Sequence, residues 1–246
     1  MAKKKSNSKL YILLIILLVM VVGLFILMMG MAGNPADTPV SQEPVTETEE
    51  PEYNFDKNDP NLILINKDNP VDEDYVPEEL VYIDESMRAV DRAPQYQRMQ
   101  PEAAQAFEEL VTAAAADGMD IKVTTAYRPY SYQADLYYYY LAVKGEEWTE
   151  KYSAPPGTSE HQAGLAVDVS CGSMDYALDV SFGDTAESKW LAAHAHEYGY
   201  ILRYQEGAEA ITGYSYEPWH IRYVGRDAAK VITEKGITLE EFLGDI

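Results

Sequence analysis

Residues 10–32 (LYILLIILLVMVVGLFILMMGMA) are apolar apart from Tyr11 and carry no charge. No other feature constrains the chain as much, because about 20 such residues cross a bilayer as one helix. Lys3, Lys4, Lys5 and Lys9 precede the run without any acid, and positive residues stay on the cytoplasmic side. The pattern predicts a basic cytoplasmic tail at 1–9, a single-pass membrane anchor at 10–32, and everything after it outside the cell. A cleaved signal peptide has a shorter apolar region, about 7–15 residues, although Gly30-Met31-Ala32 would suit a cleavage site. Length favours the retained anchor.

Residues 33–60 are rich in Pro, Thr, Glu and Asp (NPADTPVSQEPVTETEEPE). Such a stretch buries too little apolar surface to offset the entropy of ordering it. It reads as a disordered acidic linker that holds the folded part, residues 61–246, away from the membrane. That part is one domain of ordinary size.

The net charge of −22 includes the four lysines ahead of the anchor; all 41 acids lie beyond it, against 15 bases. Nucleic acid is excluded as a partner, since phosphate binding needs clustered Lys and Arg. Cys171 is the single cysteine, so no internal disulfide forms, and it reads as a small buried apolar residue.

Periodicity within 61–246 predicts mixed elements. Residues 62–67 (LILINK) read as a strand or extended segment. Ala103, Phe107, Leu110, Val111 and Ala114 recur at helical spacing between Pro101 and Gly118. Residues 120–128, 164–170, 200–204 and 220–224 read as strands. Helices are expected from a cap at Ser131 to Gly145, over 187–199, and at 227–236 and 239–244. The tyrosine run within the first of these reads as packing. Without a regular βαβ alternation, the class is α+β.

The chemistry concentrates in two stretches that hold two of the four histidines, SEHQAGLAVDVS (159–170) and EPWHIRYVG (217–225). Asp168 sits in an alternating apolar strand, where a carboxylate is costly unless a cation pairs with it. Glu217 and His220 flank Pro218 and are not on a helix, so this is not the helical H-E-x-x-H pattern. Three residues apart on an extended chain, they point to opposite faces. A bend at the proline would let both converge on one ion, one as ligand and the other as base. Two imidazoles, one carboxylate and an open fourth position make a catalytic zinc site. Arg128, ending a strand, suits a carboxylate or an oxyanion. Against this, a lone histidine in a strand is more often structural. His194 and His196, two apart on a helix, do not share a face and are left out.

The combination S-x-H-x-x-G-x-A-x-D with E-P-W-H-x-R-Y-V-G resembles VanY-type D-alanyl-D-alanine carboxypeptidases and the related L,D-carboxypeptidases, of the M15 zinc peptidase family. Further likeness lies in LILINKDNPV, TAYRPYSYQ and the stretch from Tyr198 to His220, so it spans about 61–236. The resemblance implies a small antiparallel sheet flanked by helices, a fold shared with Hedgehog-type signalling domains. It implies Zn2+ held by His161, Asp168 and His220, with Glu217 as general base. Arg128 would stabilise developing charge or hold substrate, and Ser159, Gln133 and Trp219 would line the peptide site. The implied substrates are peptidoglycan stem peptides, which lose a C-terminal D-alanine. The Hedgehog-type alternative is a non-catalytic wall-binding module; Glu217 and Arg128 speak against it, because a pure binder needs no base. Thr124-Thr125-Ala126 before Tyr127-Arg128, and Pro129 after, depart from the usual pattern, which bears on specificity rather than on the reaction.

Overall fold

A computed structural model describes residues 55–56, 58–89 and 93–244 of the protein. The expected tail, the anchor and most of the linker lie outside the described residues. Among those described, no helix is long and apolar enough to cross a membrane.

The fold is α+β. Two short strands, β1 (Val81–Tyr82) and β2 (Arg98–Met99), pair antiparallel. Helix α1 (Pro101–Ala116) follows, with Pro101 in its first turn, where the missing N–H costs nothing. All five residues expected on its apolar stripe are buried. Strand β3 (Lys122–Thr125) leads to α2 (Tyr130–Lys144) and α3 (Glu146–Tyr152), hinged at Gly145 with φ of 83°. Then come β4 (Ala166–Ser170), α4 (Ala186–His194), β5 (Tyr200–Leu202), α5 (Glu209–Thr212) and β6 (His220–Tyr223). Helices α6 (Arg226–Lys235) and α7 (Leu239–Leu243) close the chain.

The main sheet has the order β3-β4-β6-β5, antiparallel throughout. Strand β4 is central and all its residues are buried. The side-chain period of two sends Val167 and Val169 of β4 and Ile221 of β6 into one cluster with Phe107 and Leu110 of α1. The same period sends Asp168, His220 and Arg222 the other way. A smaller cluster joins Leu62, Ile201, Val224, Ile232 and Leu239.

Four local expectations are corrected. Residues 62–67 form no strand: a 3-10 turn (Pro60–Leu62) runs into an irregular segment, though Leu62 and Ile65 still enter the core. Ser131 does not cap α2; the helix starts at Tyr130, directly after Pro129, whose fixed φ suits a helix entry. The helix expected over 187–199 is α-helical only to His194 and tightens to a 3-10 turn, Ala195–Tyr198, before the left-handed Gly199. The tyrosine run is not core packing either: Tyr138 and Tyr139 are each 61% exposed, and α2 buries only Gln133. Cys171 is fully buried, as expected.

Candidate active site

Cross-strand register builds the site. Asp168 of β4 lies directly opposite His220 of β6 and also opposite Thr125 of β3, beside a bulge between Val123 and Thr125. His161 comes from a 3-10 turn (Glu160–Ala163) that ends at Gly164, left-handed with φ of 67°. The left-handed backbone favours glycine here, and a Cβ at Gly164 would meet Leu80 Cδ2 at 2.7 Å, so a larger residue would have to displace that side chain. His161 Nδ1 sits 2.5 Å from the Ala126 carbonyl and donates to it. The Arg128 amide donates to the His161 carbonyl at 3.1 Å, so the end of β3 positions both residues. The proline bend closes as expected: His220 N donates to the Glu217 carbonyl at 3.1 Å, and Glu217 Oε2 comes within 3.9 Å of His220 Nδ1.

His161, Asp168 and His220 each offer one ligand atom, and these atoms lie within 4.8 Å of one another, all buried. Asp168 Oδ1 is 3.3 Å from His161 Nε2 and 3.1 Å from His220 Nδ1. Ligand atoms bound to one zinc at about 2.0–2.1 Å sit roughly 3.3 Å apart at tetrahedral angles. His161 Nε2 and Asp168 Oδ1 are buried and make no hydrogen bond with any described group. Orphaned buried polar atoms are costly, and a divalent cation among these three ligands satisfies them. The donor set fits zinc.

Electrostatics treat the two histidines differently. Burial, helped by the Arg128 charge, lowers His161 to about 4, so its imidazole is neutral with a free lone pair. Burial would also lower His220, but the Asp168 and Glu160 carboxylates outweigh it and push it up to about 9. Burial pushes Glu217 up to about 8, with His220 and Arg128 pulling back and Asp168 adding to the rise.

A pocket of about 180 Å³ opens over these groups. It is lined by every residue expected in the site: Arg128, Gln133, Ser159, His161, Asp168, Glu217, Trp219 and His220. Arg128 Nη2 lies 3.9 Å from Asp168 Oδ2, and its Nε is buried without a partner among the described residues. Gln133 Nε2 donates to the Ala154 carbonyl at 2.7 Å, leaving its buried Oε1 as an unused acceptor. His194 lies elsewhere, paired with Glu197 at 2.9 Å.

Sequence reasoning missed two groups. Tyr140, Trp148 and Tyr152 of the α2–α3 hairpin form one pocket wall, and Tyr204 and Tyr214 another. Beneath His220, Glu160 is buried against Arg203 and Arg222. Two arginines inside apolar strand patterns, YILRY and HIRYV, were the available signal, since such charges demand partners.

The profile of the VanY family, described as D-alanyl-D-alanine carboxypeptidase, matches residues 96–226. The chain is 40% identical over 181 residues to the putative carboxypeptidase YodJ of Bacillus subtilis (strain 168), covering 74% of this chain and 66% of that one. Among solved structures it is similar to the LdcB LD-carboxypeptidase, at 38% identity and a TM-score of 0.70, covering 77% of this chain and 89% of that one. It is also similar to a mutant of the vancomycin-resistance D,D-pentapeptidase VanY in complex with Zn(II), at 33% identity and a TM-score of 0.63, covering 75% and 99%. With the matched span holding the whole cluster from Arg128 to His220, the chain belongs to the VanY family of D-alanyl-D-alanine carboxypeptidases.

Proposed function

We propose that the protein is a zinc carboxypeptidase that removes the C-terminal D-alanine of peptidoglycan stem peptides. One observation carries the reading: two orphaned buried ligand atoms, His161 Nε2 and Asp168 Oδ1, lie with His220 on the floor of a pocket that also holds Glu217 and Arg128. His161, Asp168 and His220 would hold the zinc, which would supply Lewis acidity toward the scissile carbonyl and lower the pKa of the attacking water to about 7.

The side chains do the rest. Glu217 takes a proton from the attacking water as its oxygen bonds to the carbonyl carbon. It then delivers that proton to the departing amine nitrogen as the C–N bond breaks. The products are the shortened stem, ending in a carboxylate, and free D-alanine. Arg128, with unused donors, binds the substrate carboxylate or the developing oxyanion. Gln133 Oε1 and the Ser159 hydroxyl accept from or donate to the peptide backbone, while Trp219 and Tyr214 shield the reacting bond from water.

Similarity to LdcB favours a second reading of specificity, in which the substrate is a tetrapeptide stem cut by L,D-carboxypeptidase action. Incubating the purified protein with pentapeptide and tetrapeptide stems, with zinc and with chelator, separates the two. D-alanine release from neither stem, with metal bound, overturns both. We propose further that residues 10–32 anchor the chain as a single membrane pass and that the linker at 33–60 holds the catalytic domain outside the cell; the uncharged apolar run and the lysines ahead of it support this reading. Protease digestion of intact cells should therefore remove the domain; full protection would refute this placement.

A further inference from the structure

We infer that Glu160 is a positioning residue that selects which nitrogen of His220 faces the metal; the inference rests on the zinc reading above. His161 and His220 use different ring atoms toward the site. His161 presents Nε2, because its Nδ1 is committed to the Ala126 carbonyl. His220 presents Nδ1 to Asp168 at 3.1 Å, and its Nε2 lies 3.4 Å from Glu160 Oε2. A neutral imidazole carries one proton. With the Nε2 proton donated to Glu160, the Nδ1 lone pair is left for the cation. Glu160 immediately precedes His161, so one turn delivers a ligand to the site and an orienting partner to the opposite ligand.

The carboxylate cannot swing away. Arg203 Nε and Arg222 Nη1 both donate to its Oε1 at 2.7 Å, leaving Oε2 for His220. Arg203 is held in turn by both oxygens of Glu240 from α7, at 2.6 and 2.9 Å. Arg222 Nη2 binds the carbonyls of Asn61 and Ile63. All four charged side chains are buried, two carboxylates against two guanidiniums. Burying such a set seldom gains stability over apolar side chains of the same volume. The contact with His220 gives the cost a purpose, since partners of ligating histidines fix tautomer and ring orientation. The brace also ties His220 to residues 61, 63 and 240, all outside the matched family span of 96–226.

The test compares Glu160→Gln with Glu240→Gln, which breaks the same network without touching His220. Zinc affinity is measured by competition with a chromogenic chelator, and the stability of the metal-free forms by urea denaturation. Both variants should be less stable. Glu160→Gln should bind zinc about 10–100-fold more weakly, and Glu240→Gln within about threefold of wild type. Equal affinity losses in the two, or wild-type affinity in Glu160→Gln, would make the network purely structural and overturn the inference. Should Glu160→Gln not fold, 15N NMR of the zinc-loaded wild type decides: Nε2 protonated with Nδ1 metal-bound upholds it, and the reverse overturns it. Wild-type protein that binds no zinc would instead sink the zinc reading itself.

Discussion

The floor of the pocket and the hairpin that forms one of its walls line it with different kinds of side chain. On the floor, Asp168, His161, His220 and Glu217 are charged or polar and all buried; strand register sets Asp168 opposite His220, and turns beside the strands bring in His161 and Glu217. In the hairpin, Tyr140, Trp148 and Tyr152 line the pocket, yet α2 buries only Gln133 and α3 only Thr149, both polar. The floor keeps its buried ligand atoms within 4.8 Å of one another. The hairpin leaves aromatic surface out of the core, where it stabilises the fold little and faces whatever enters. Under the proposed function, reaction chemistry would belong to the first region and substrate preference to the second.

The largest effects should come from the floor. Asp168→Ala should lose both bound metal and D-alanine release, and chelation of the wild type should do the same, reversed by added zinc. Glu217→Gln should keep the metal, measured by atomic absorption, while kcat falls about 10²–10⁴-fold. Retained turnover would remove Glu217 as base and break the division of labour drawn here.

Glu217 also makes the floor costly to fold. Burial raises its carboxyl from 4.5 to about 8 in the metal-free protein. Between those values the unfolded chain has released the proton while the folded chain still holds it. Rising pH therefore favours the unfolded state through that window, and the loss is complete above about 8. Metal-free Glu217→Gln has no such slope. Urea midpoints should show the variant and wild type nearly equal near pH 4 and the variant more stable near pH 8, by on the order of a few kcal/mol. Parallel pH curves would show that Glu217 is not held in its neutral form.

These two regions also differ in how legible they are in the sequence. The metal set and the base could be read because they fall in two short stretches, 159–170 and 217–225, whose combined motif resembles the VanY family; spacing alone left a structural role open for each histidine, and alternation placed only 164–170 and 220–224 on strands. The meeting of Glu217 with His220 needed the bend at Pro218, which a proline announces. The brace was not legible: Glu160, Arg203, Arg222 and Glu240 come from four separate elements, and only the strand pairing and the seat of α7 bring them together. The hairpin was misread for a related reason. A tyrosine-rich helix has the composition of a core element, but with tyrosines at four consecutive positions, 137–140, it presents aromatic surface all round and can bury only one side. Only the position of α3 shows that Tyr140 faces Trp148, at 5.1 Å between ring centroids, and the pocket beyond.

The smallest expected effect tests the hairpin. Trp148 packs between Tyr140 and Tyr152 with its ring tilted to both, the second centroid 5.0 Å away, and all three line the pocket. Such aromatic contacts are worth about 0.5–1.5 kcal/mol each beyond their buried area. If the wall contacts the stem peptide upstream of the scissile bond, Trp148→Ala should raise KM about 2–10-fold with kcat nearly unchanged, since it removes binding shared by ground and transition states. The thermal midpoint should move little, because the side chain is only half-buried and outside both core clusters. The ratio of activities on pentapeptide and tetrapeptide stems should shift as well. An unchanged KM and ratio would return specificity to the sheet, and the floor alone would then set both the reaction and its substrate.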